Sequence, residues 1–287
     1  MDSHVSEPAV GTLYLISSPI GNARDLSPRA VETLRSADVV LAEDTRSARK
    51  LLTAQGIERR TQSCFDANEP ARADEAAALL GEGKSVAVLS EAGTPAVSDP
   101  GYKVVRAAIA AGARVVPVPG PSAVLAGLVA SGLPTDRFLF LGFPPRKAGA
   151  RHELFAQVRA LPATLIFYES PHRVGATLAD LTEVLGGKRP ACVARELTKT
   201  HEEFVRGSLA SLAQRYATER PLGEITILVG GASGEITCVA QPDDLRGRAR
   251  DLLAQGMSAR DAADALASES GHPRRETYRL VLEVSGR

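Results

Sequence analysis

VAVLSEAGTPAVSDPGYKVVRAAIAAG, residues 86–112, decides the fold class. Val86-Ala87-Val88-Leu89 is an apolar run of strand length, and Ser90-Glu91-Ala92-Gly93-Thr94-Pro95 behind it is a loop of turn formers. Asp99-Pro100 reads as an N-cap and first-turn proline opening a helix on which Val104, Val105 and Ile109 share a face, until Gly112 stops it. Strand, Gly/Pro loop and helix form the repeating unit of an α/β sheet, whose ligands bind at the carboxyl ends of strands.

The same unit recurs on both sides. Leu13-Tyr14-Leu15-Ile16 runs through Ser17-Ser18-Pro19-Ile20-Gly21-Asn22 into a helix opened by Ser27-Pro28. Val39-Val40-Leu41-Ala42 ends at Glu43-Asp44-Thr45-Arg46, followed by a helix through Leu52 that Gly56 closes. Arg114-Val115-Val116-Pro117-Val118 turns at Pro119-Gly120-Pro121, and Ser122 is placed to cap a helix from Ala123 to Ala130. Residues 138–151 change in composition and read as an interdomain connection. Strands at 164–168, 191–194 and 225–229 and a helix at 174–185 make a second block. Beyond a small-residue stretch at 230–234 the chain reads as helical, with Ser258-Ala259-Arg260-Asp261 resembling a capping box and Pro273 opening the last helix. The expected organisation is therefore α/β, with domains at 11–135 and 136–234 and a helical module at 241–287.

Composition narrows the function. With 34 Lys+Arg against 34 Asp+Glu in 287 residues, the chain is not a generally basic nucleic-acid binder, so a polyanion has to be met by a local patch. Cys64, Cys192 and Cys238 lie far apart and suggest neither a disulfide framework nor a thiolate metal site. The first residues carry no secretory pattern, and the most apolar region, 107–134, is broken by Arg114 and several prolines, so a soluble, cytoplasmic protein without a membrane span is expected. Gly81-Glu82-Gly83-Lys84-Ser85 lacks the first Walker glycine, Ala78 standing there, and precedes a strand instead of following one. It reads as a helix-to-strand turn. No dinucleotide fingerprint, HExxH or GxSxG occurs, and no metal site is expected.

Three loops stand out together: 90–95, 98–101 and 119–123 each combine small residues, prolines and a capping hydroxyl or carboxylate. Each alone is an ordinary tight turn; on neighbouring strand ends they let backbone groups approach one ligand. Residues 13–52, 90–102 (SEAGTPAVSDPGY), 119–134, 167–173 (FYESPHR), 195–203 (RELTKTHEE) and 223–226 resemble, in order, a bacterial family, the ribosomal RNA small subunit methyltransferases I. That family methylates a cytidine ribose 2′-hydroxyl of 16S rRNA and is similar to the tetrapyrrole methylases that use S-adenosylmethionine. Ser18 and Glu91 stand where the family more often has Thr and Asp, and 63–69 lacks its histidine.

The resemblance implies two α/β domains of tetrapyrrole-methylase type with the methyl donor in the cleft between them, and it assigns residues by position. Ser90, Glu91, Ala92, Gly93, Thr94, Asp99, Pro119, Gly120, Pro121, Ser122 and Ala123 line the donor pocket from one side, and Tyr168, Glu169, Ser170, Glu224, Ile225 and Thr226 from the other. Candidates for the base or for catalytic assistance are Asp44, Glu169, Glu196 and Lys199, each of which suits a capping or ion-pair role equally well. Arg46, Arg173, Arg195, Arg274, Arg275 and Arg279 suit phosphate contacts, and the tail resembles a helix-turn-helix module. The implied partners are 16S rRNA or the assembled small subunit and a second copy of the chain. Methylation of a tetrapyrrole or protein side chain, and a non-catalytic RNA-binding assembly factor, are the alternatives.

Overall fold

The computed structural model describes residues 10–232, 242–270 and 274–285. Cys238, Pro273 and the end of the 230–234 stretch lie outside them. The chain divides into two compact units, 1–231 and 232–287.

The larger unit opens with β1 (Thr12–Ile16), α1 (Pro28–Ser36), β2 (Val39–Ala42), α2 (Thr45–Ala54), β3 (Thr61–Ser63), α3 (Glu69–Gly81), β4 (Val86–Leu89), α4 (Tyr102–Ala110), β5 (Arg114–Val118) and α5 (Ala123–Ser131). Its strands form a parallel sheet in the order β3-β2-β4-β1-β5. The central strands β2 and β4 are buried at every position, as a parallel sheet covered on both faces requires. Leu34, Leu52 and Ile57 pack with one face, and Leu80, Val104 and Ala108 with the other. Pro117 sits on the edge strand β5, where a missing N–H costs no ladder bond.

Local chemistry sets the helix starts. Ser27 Oγ accepts from Ala30 N at 3.1 Å with Pro28 in the first turn, and Asp44 Oδ1 accepts from Arg46 N at 2.7 Å. α4 departs from expectation. It starts at Tyr102 behind Gly101, whose φ of 136° only glycine adopts readily, and Asp99-Pro100 stays in the loop. The cap comes from α3 instead: buried Glu69 Oε1 accepts from Gly101 N and Lys103 N, each at 2.8 Å. On α4 it is Val104 and Ala108 that are buried, while Ile109 is 62% exposed. Ser122 occupies the N-cap position of α5 without a side-chain bond.

A second sheet follows, built from β6 (Phe138–Phe140), β7 (Thr164–Glu169), β8 (Pro190–Arg195), β9 (Glu203–Ser208) and β10 (Ile225–Val229) in the order β6-β7-β10-β8-β9. Only β6 and β7 run parallel; the other neighbours are antiparallel. α6 (Ala148–Val158), α7 (Val174–Leu185) and α8 (Leu209–Thr218) cover one face around Phe155, Phe167 and Leu178. The stretch 138–151, expected to be a connection, therefore contains a strand and the start of a helix. The opposite face of this sheet packs against α5: Val124 and Leu128 join Ile166, Cys192 and Leu228 in one cluster. At Gly127 a Cβ would already stand 3.4 Å from Thr226 Cγ2, so glycine sets how closely α5 lies on β10.

The smaller unit holds α9 (Pro242–Ala254), α10 (Ala259–Ser270) and α11 (Arg274–Ser285) around Leu252, Ala263, Leu266 and Val281. Ser258 Oγ accepts from Asp261 N at 3.2 Å and donates to Asp261 Oδ2 at 2.7 Å, so its reciprocal bond runs between side chains. Among the described residues no helix is long and apolar enough to cross a membrane, and no three or more metal-ligating side chains gather.

Candidate active site

The carboxyl ends of β1, β4 and β5 are knitted together by their loops. Ser18 and Gly93 exchange backbone bonds, Ser18 N to Gly93 O at 2.9 Å and Gly93 N to Ser18 O at 3.1 Å. Ser17 N donates to Val118 O at 3.3 Å, and Thr94 Oγ1 lies 3.4 Å from both Ser17 Oγ and Pro121 O. A Cβ on Gly120 would meet Ser17 Cβ at 2.9 Å, so the third loop closes on the first only with glycine there.

Two cavities lie near these loops. The larger, about 340 Å³, lies between the two sheets and is lined by Ile20, Ala92, Asp99, Ala123, Tyr168, Glu169, Ser170, Glu224, Ile225 and Thr226, with Val97, Phe143 and Leu197 among its apolar walls. The smaller, about 220 Å³, is lined by Ser18, Pro19, Gly21, Glu43, Asp44, Ser47, Leu51, Ser90 and Glu91 with its neighbours. Of the residues expected at a donor pocket, Ser90 and Glu91 face the smaller cavity; Gly93, Thr94, Pro119, Gly120, Pro121 and Ser122 line neither, and several of them build the loop contacts that frame both. Sequence reasoning named none of Phe143, Leu197 and Gly223 as lining residues: Phe143 comes from the stretch read as a connection, and Leu197 and Gly223 lie in motifs from which other residues were chosen. Phe143 packs on Tyr168 at 5.5 Å between ring centroids, and Phe140 meets the same ring edge-on at 4.8 Å.

Four non-glycine residues among those described have positive φ: Ala96, Ser98, Glu196 and Thr198, at 64°, 62°, 50° and 65°. They belong to the two loops that carry Val97, Ser98 and Leu197 into the larger cavity, so backbone strain is concentrated on its walls. Gly223 is required beside them: at φ 86° its Cβ would stand 1.9 Å from Glu196 Oε1.

The candidate catalytic groups differ in how far they are already engaged. Glu169 is buried and holds α7, accepting from Ser170 N at 2.8 Å and Thr177 Oγ1 at 2.5 Å, with Arg173 3.3 Å away. Glu196 accepts from Lys199 Nζ at 2.9 Å and Glu224 N at 3.2 Å, and the Lys199 hydrogen bond leads in holding its carboxyl below the usual range. Burial alone would lower Lys199, but its bonds to Glu196 and Glu224 prevail and keep the ammonium charged. Neither Glu196 nor Lys199 lines either cavity; they fix the Gly223-Glu224 turn that does. Asp44 lines the smaller cavity from the N-cap of α2.

Asp99 lines the larger cavity. Its Oδ2 is buried with no hydrogen-bond partner, and desolvation, partly opposed by Ser90 and reinforced by Glu91, raises its carboxyl above the ordinary range. Burial likewise pushes the Tyr168 phenol up to about 12. The arginines divide. Arg173 is tied to Pro144 O at 2.7 Å and Pro145 O at 3.1 Å, Arg195 to Glu203 at 2.6 Å, and Arg274 to Asp264. Arg46 is 90% exposed beside the smaller cavity, Arg275 is exposed, and Arg279 reaches only to 4.0 Å from Glu283.

Comparison with known proteins fits this geometry. The family model of tetrapyrrole (corrin/porphyrin) methylases matches residues 12–213. The chain is 47% identical to the ribosomal RNA small subunit methyltransferase I of Mesorhizobium japonicum, covering 97% of this chain and 94% of the relative. It is 43% identical to the protein of that name in Synechocystis, covering 96% and 99%. The crystal structure of the methyltransferase CobJ shares the fold with a TM-score of 0.59 at 21% identity, over 78% of this chain and 95% of that one. With both sheets, their connecting helix and nearly the full length accounted for, the chain belongs to the tetrapyrrole methylase family and, within it, to the ribosomal RNA small subunit methyltransferases I.

Proposed function

We propose that the protein transfers a methyl group to the ribose 2′-hydroxyl of a cytidine in 16S rRNA, cytidine 1402 in the family's assignment. What carries this reading is the pair of cavities near the strand-end loops, one able to hold the donor and the other, beside exposed Arg46, an acceptor nucleotide. S-adenosylmethionine, the methyl donor of this family, supplies an electrophilic methyl on a sulfonium. The residues of the larger cavity fit it: Asp99 offers a carboxylate oxygen without a protein partner, suited to a ribose hydroxyl or a cation, and Val97, Phe143 and Ile225 offer apolar walls.

The protein's work is to place the 2′-oxygen in line with the transferable methyl and to remove its proton. Asp44 takes that proton in our reading, because it borders the acceptor cavity while Glu169, Glu196 and Lys199 are held elsewhere. Arg46 holds a flanking phosphate. The test is mass spectrometry of 16S rRNA from a strain lacking the protein: one cytidine ribose methyl is lost and returns with the wild-type gene. An unchanged methylation pattern overturns the reading. A calorimetric titration with S-adenosylmethionine that gave no heat would favour a non-catalytic assembly factor.

Donor affinity is expected to follow the Asp99 carboxylate. A raised pKa means that, as pH falls from neutrality, this group protonates before an ordinary aspartate and withdraws its charge from the ligand. Calorimetric titrations over that range should show affinity falling in the wild type and a flatter profile in Asp99→Asn. Parallel profiles would remove Asp99 from donor binding.

We place the helical module on the RNA through Arg275 and Arg279. Their joint replacement by Ala should weaken subunit binding and reduce the slope of log affinity against log salt by about 0.9 for each phosphate no longer neutralised, leaving donor affinity unchanged. An unaltered slope would assign the module another role. We also propose that the chain works in the cytoplasm, where its substrate is assembled, and pairs with a second copy, which would cover apolar Val129 of α5, 74% exposed. Sedimentation checks the pairing.

A further inference from the structure

The smaller cavity is more selective than a place for a ribose requires. Its walls carry three carboxyl groups, Glu43, Asp44 and Glu91, together with Ser18 and Ser47. Ionised carboxylates only accept hydrogen bonds. Ser18 supplies an independent sign of a ligand: the residue is 1% exposed, its Oγ is buried without a hydrogen-bond partner, and it lines this cavity. A buried hydroxyl left unpaired costs free energy that a ligand heteroatom can recover. Pro19 and Leu51 add apolar surface for the faces of a planar ring.

Building on the ribose-methylation reading, we propose that this cavity holds the acceptor base and that Glu43 selects cytosine over uracil by accepting a hydrogen bond from the exocyclic amine. The two pyrimidines differ there in polarity: cytosine presents an N–H donor at position 4, uracil a carbonyl acceptor. A wall of acceptors satisfies the first and leaves the second facing like partial charge. Rejection is strong because a site built for one hydrogen-bond pattern leaves groups unpaired against the other. Partial burial, and then the negative charges of Asp99, Glu91, Asp66 and Asp44, disfavour the Glu43 carboxylate and raise its pKa, a cost that a hydrogen bond from the cytosine amine offsets. The position is also apt, because Glu43 ends β2 one residue before Asp44, the proposed base. Reading the base and deprotonating its ribose fall to adjacent residues.

The experiment uses the full-length protein, S-adenosylmethionine and small ribosomal subunits carrying either the target cytidine or a uridine in its place. The wild type should prefer the cytidine subunit in single-turnover methylation. Glu43→Gln keeps the shape and adds an N–H donor that a uracil carbonyl accepts, so the preference should fall by about 10- to 100-fold while donor affinity, read by calorimetry, stays the same. If the variant turns over too slowly to compare, the ratio of its affinities for the two subunits replaces the ratio of rates. A cytidine preference retained in the variant by either readout overturns the assignment of Glu43 and leaves ribose methylation standing. A wild type that adds no ribose methyl to the cytidine subunit overturns the underlying reading, and the pocket with it.

Discussion

Asp44→Asn should slow single-turnover methyl transfer by about 10²- to 10⁴-fold, the usual share of a positioned general base, with donor affinity unchanged. The substitution separates two roles that Asp44 holds at once. As the N-cap of α2 it accepts from Arg46 N at 2.7 Å, and asparagine caps a helix about as well. As a proton acceptor it needs the carboxylate, which asparagine lacks. The fold and the approach of α2 to the cavity therefore survive while the chemistry is lost. The other candidates do not offer the same separation: Glu169 anchors α7 from full burial, and Glu196 and Lys199 occupy each other. A variant with wild-type rates would leave Asp44 only its cap, whereas a change in KM alone would make it a binding residue.

Glu69→Ala should give the largest loss of stability among single changes near the site. Glu69 Oε1 accepts from Gly101 N and Lys103 N, and its deletion strands both donors at roughly 1–3 kcal/mol each. Lys103, half-exposed and 3.8 Å from the second carboxylate oxygen, adds little. Because Gly101 follows Asp99 and Pro100, the damage should reach the donor cavity: donor affinity should fall together with the denaturation midpoint. Hydrogen exchange at the Gly101 and Lys103 amides would locate the effect, and Glu69→Gln, which keeps one acceptor oxygen, should recover part of it. Native-like protection of both amides in the alanine variant would exclude this account.

Much of the fold was legible because burial writes plain patterns. Val39-Val40-Leu41-Ala42 and Val86-Ala87-Val88-Leu89 are strands covered on both faces, and continuous apolar runs betray them. The edges were harder to see. Thr61-Gln62-Ser63 is a polar edge strand, and Glu203–Ser208 pairs on one side only and mixes Glu203, Arg206 and Gly207 with its apolar residues, so neither shows the apolar signature. The start of α4 was misread because its cap, Glu69, lies more than thirty residues earlier, and local turn chemistry at Asp99-Pro100 points to the wrong residue. The three Gly/Pro loops announced a site at the strand ends. That they are tied to the loop after β1 could not be read, because the bridge joins Ser18 to Gly93, residues with no pattern in common.

The position of α5 bears on how the molecule can be taken apart. The helix follows β5, yet Val124 and Leu128 are buried against strands that the chain has still to reach. A fragment ending near residue 135 would expose that apolar stripe, and one beginning there would bare the strands it covers. The two sheets are thus an inseparable pair, and attempts to exchange either half for that of a relative must carry α5 together with its receiving surface.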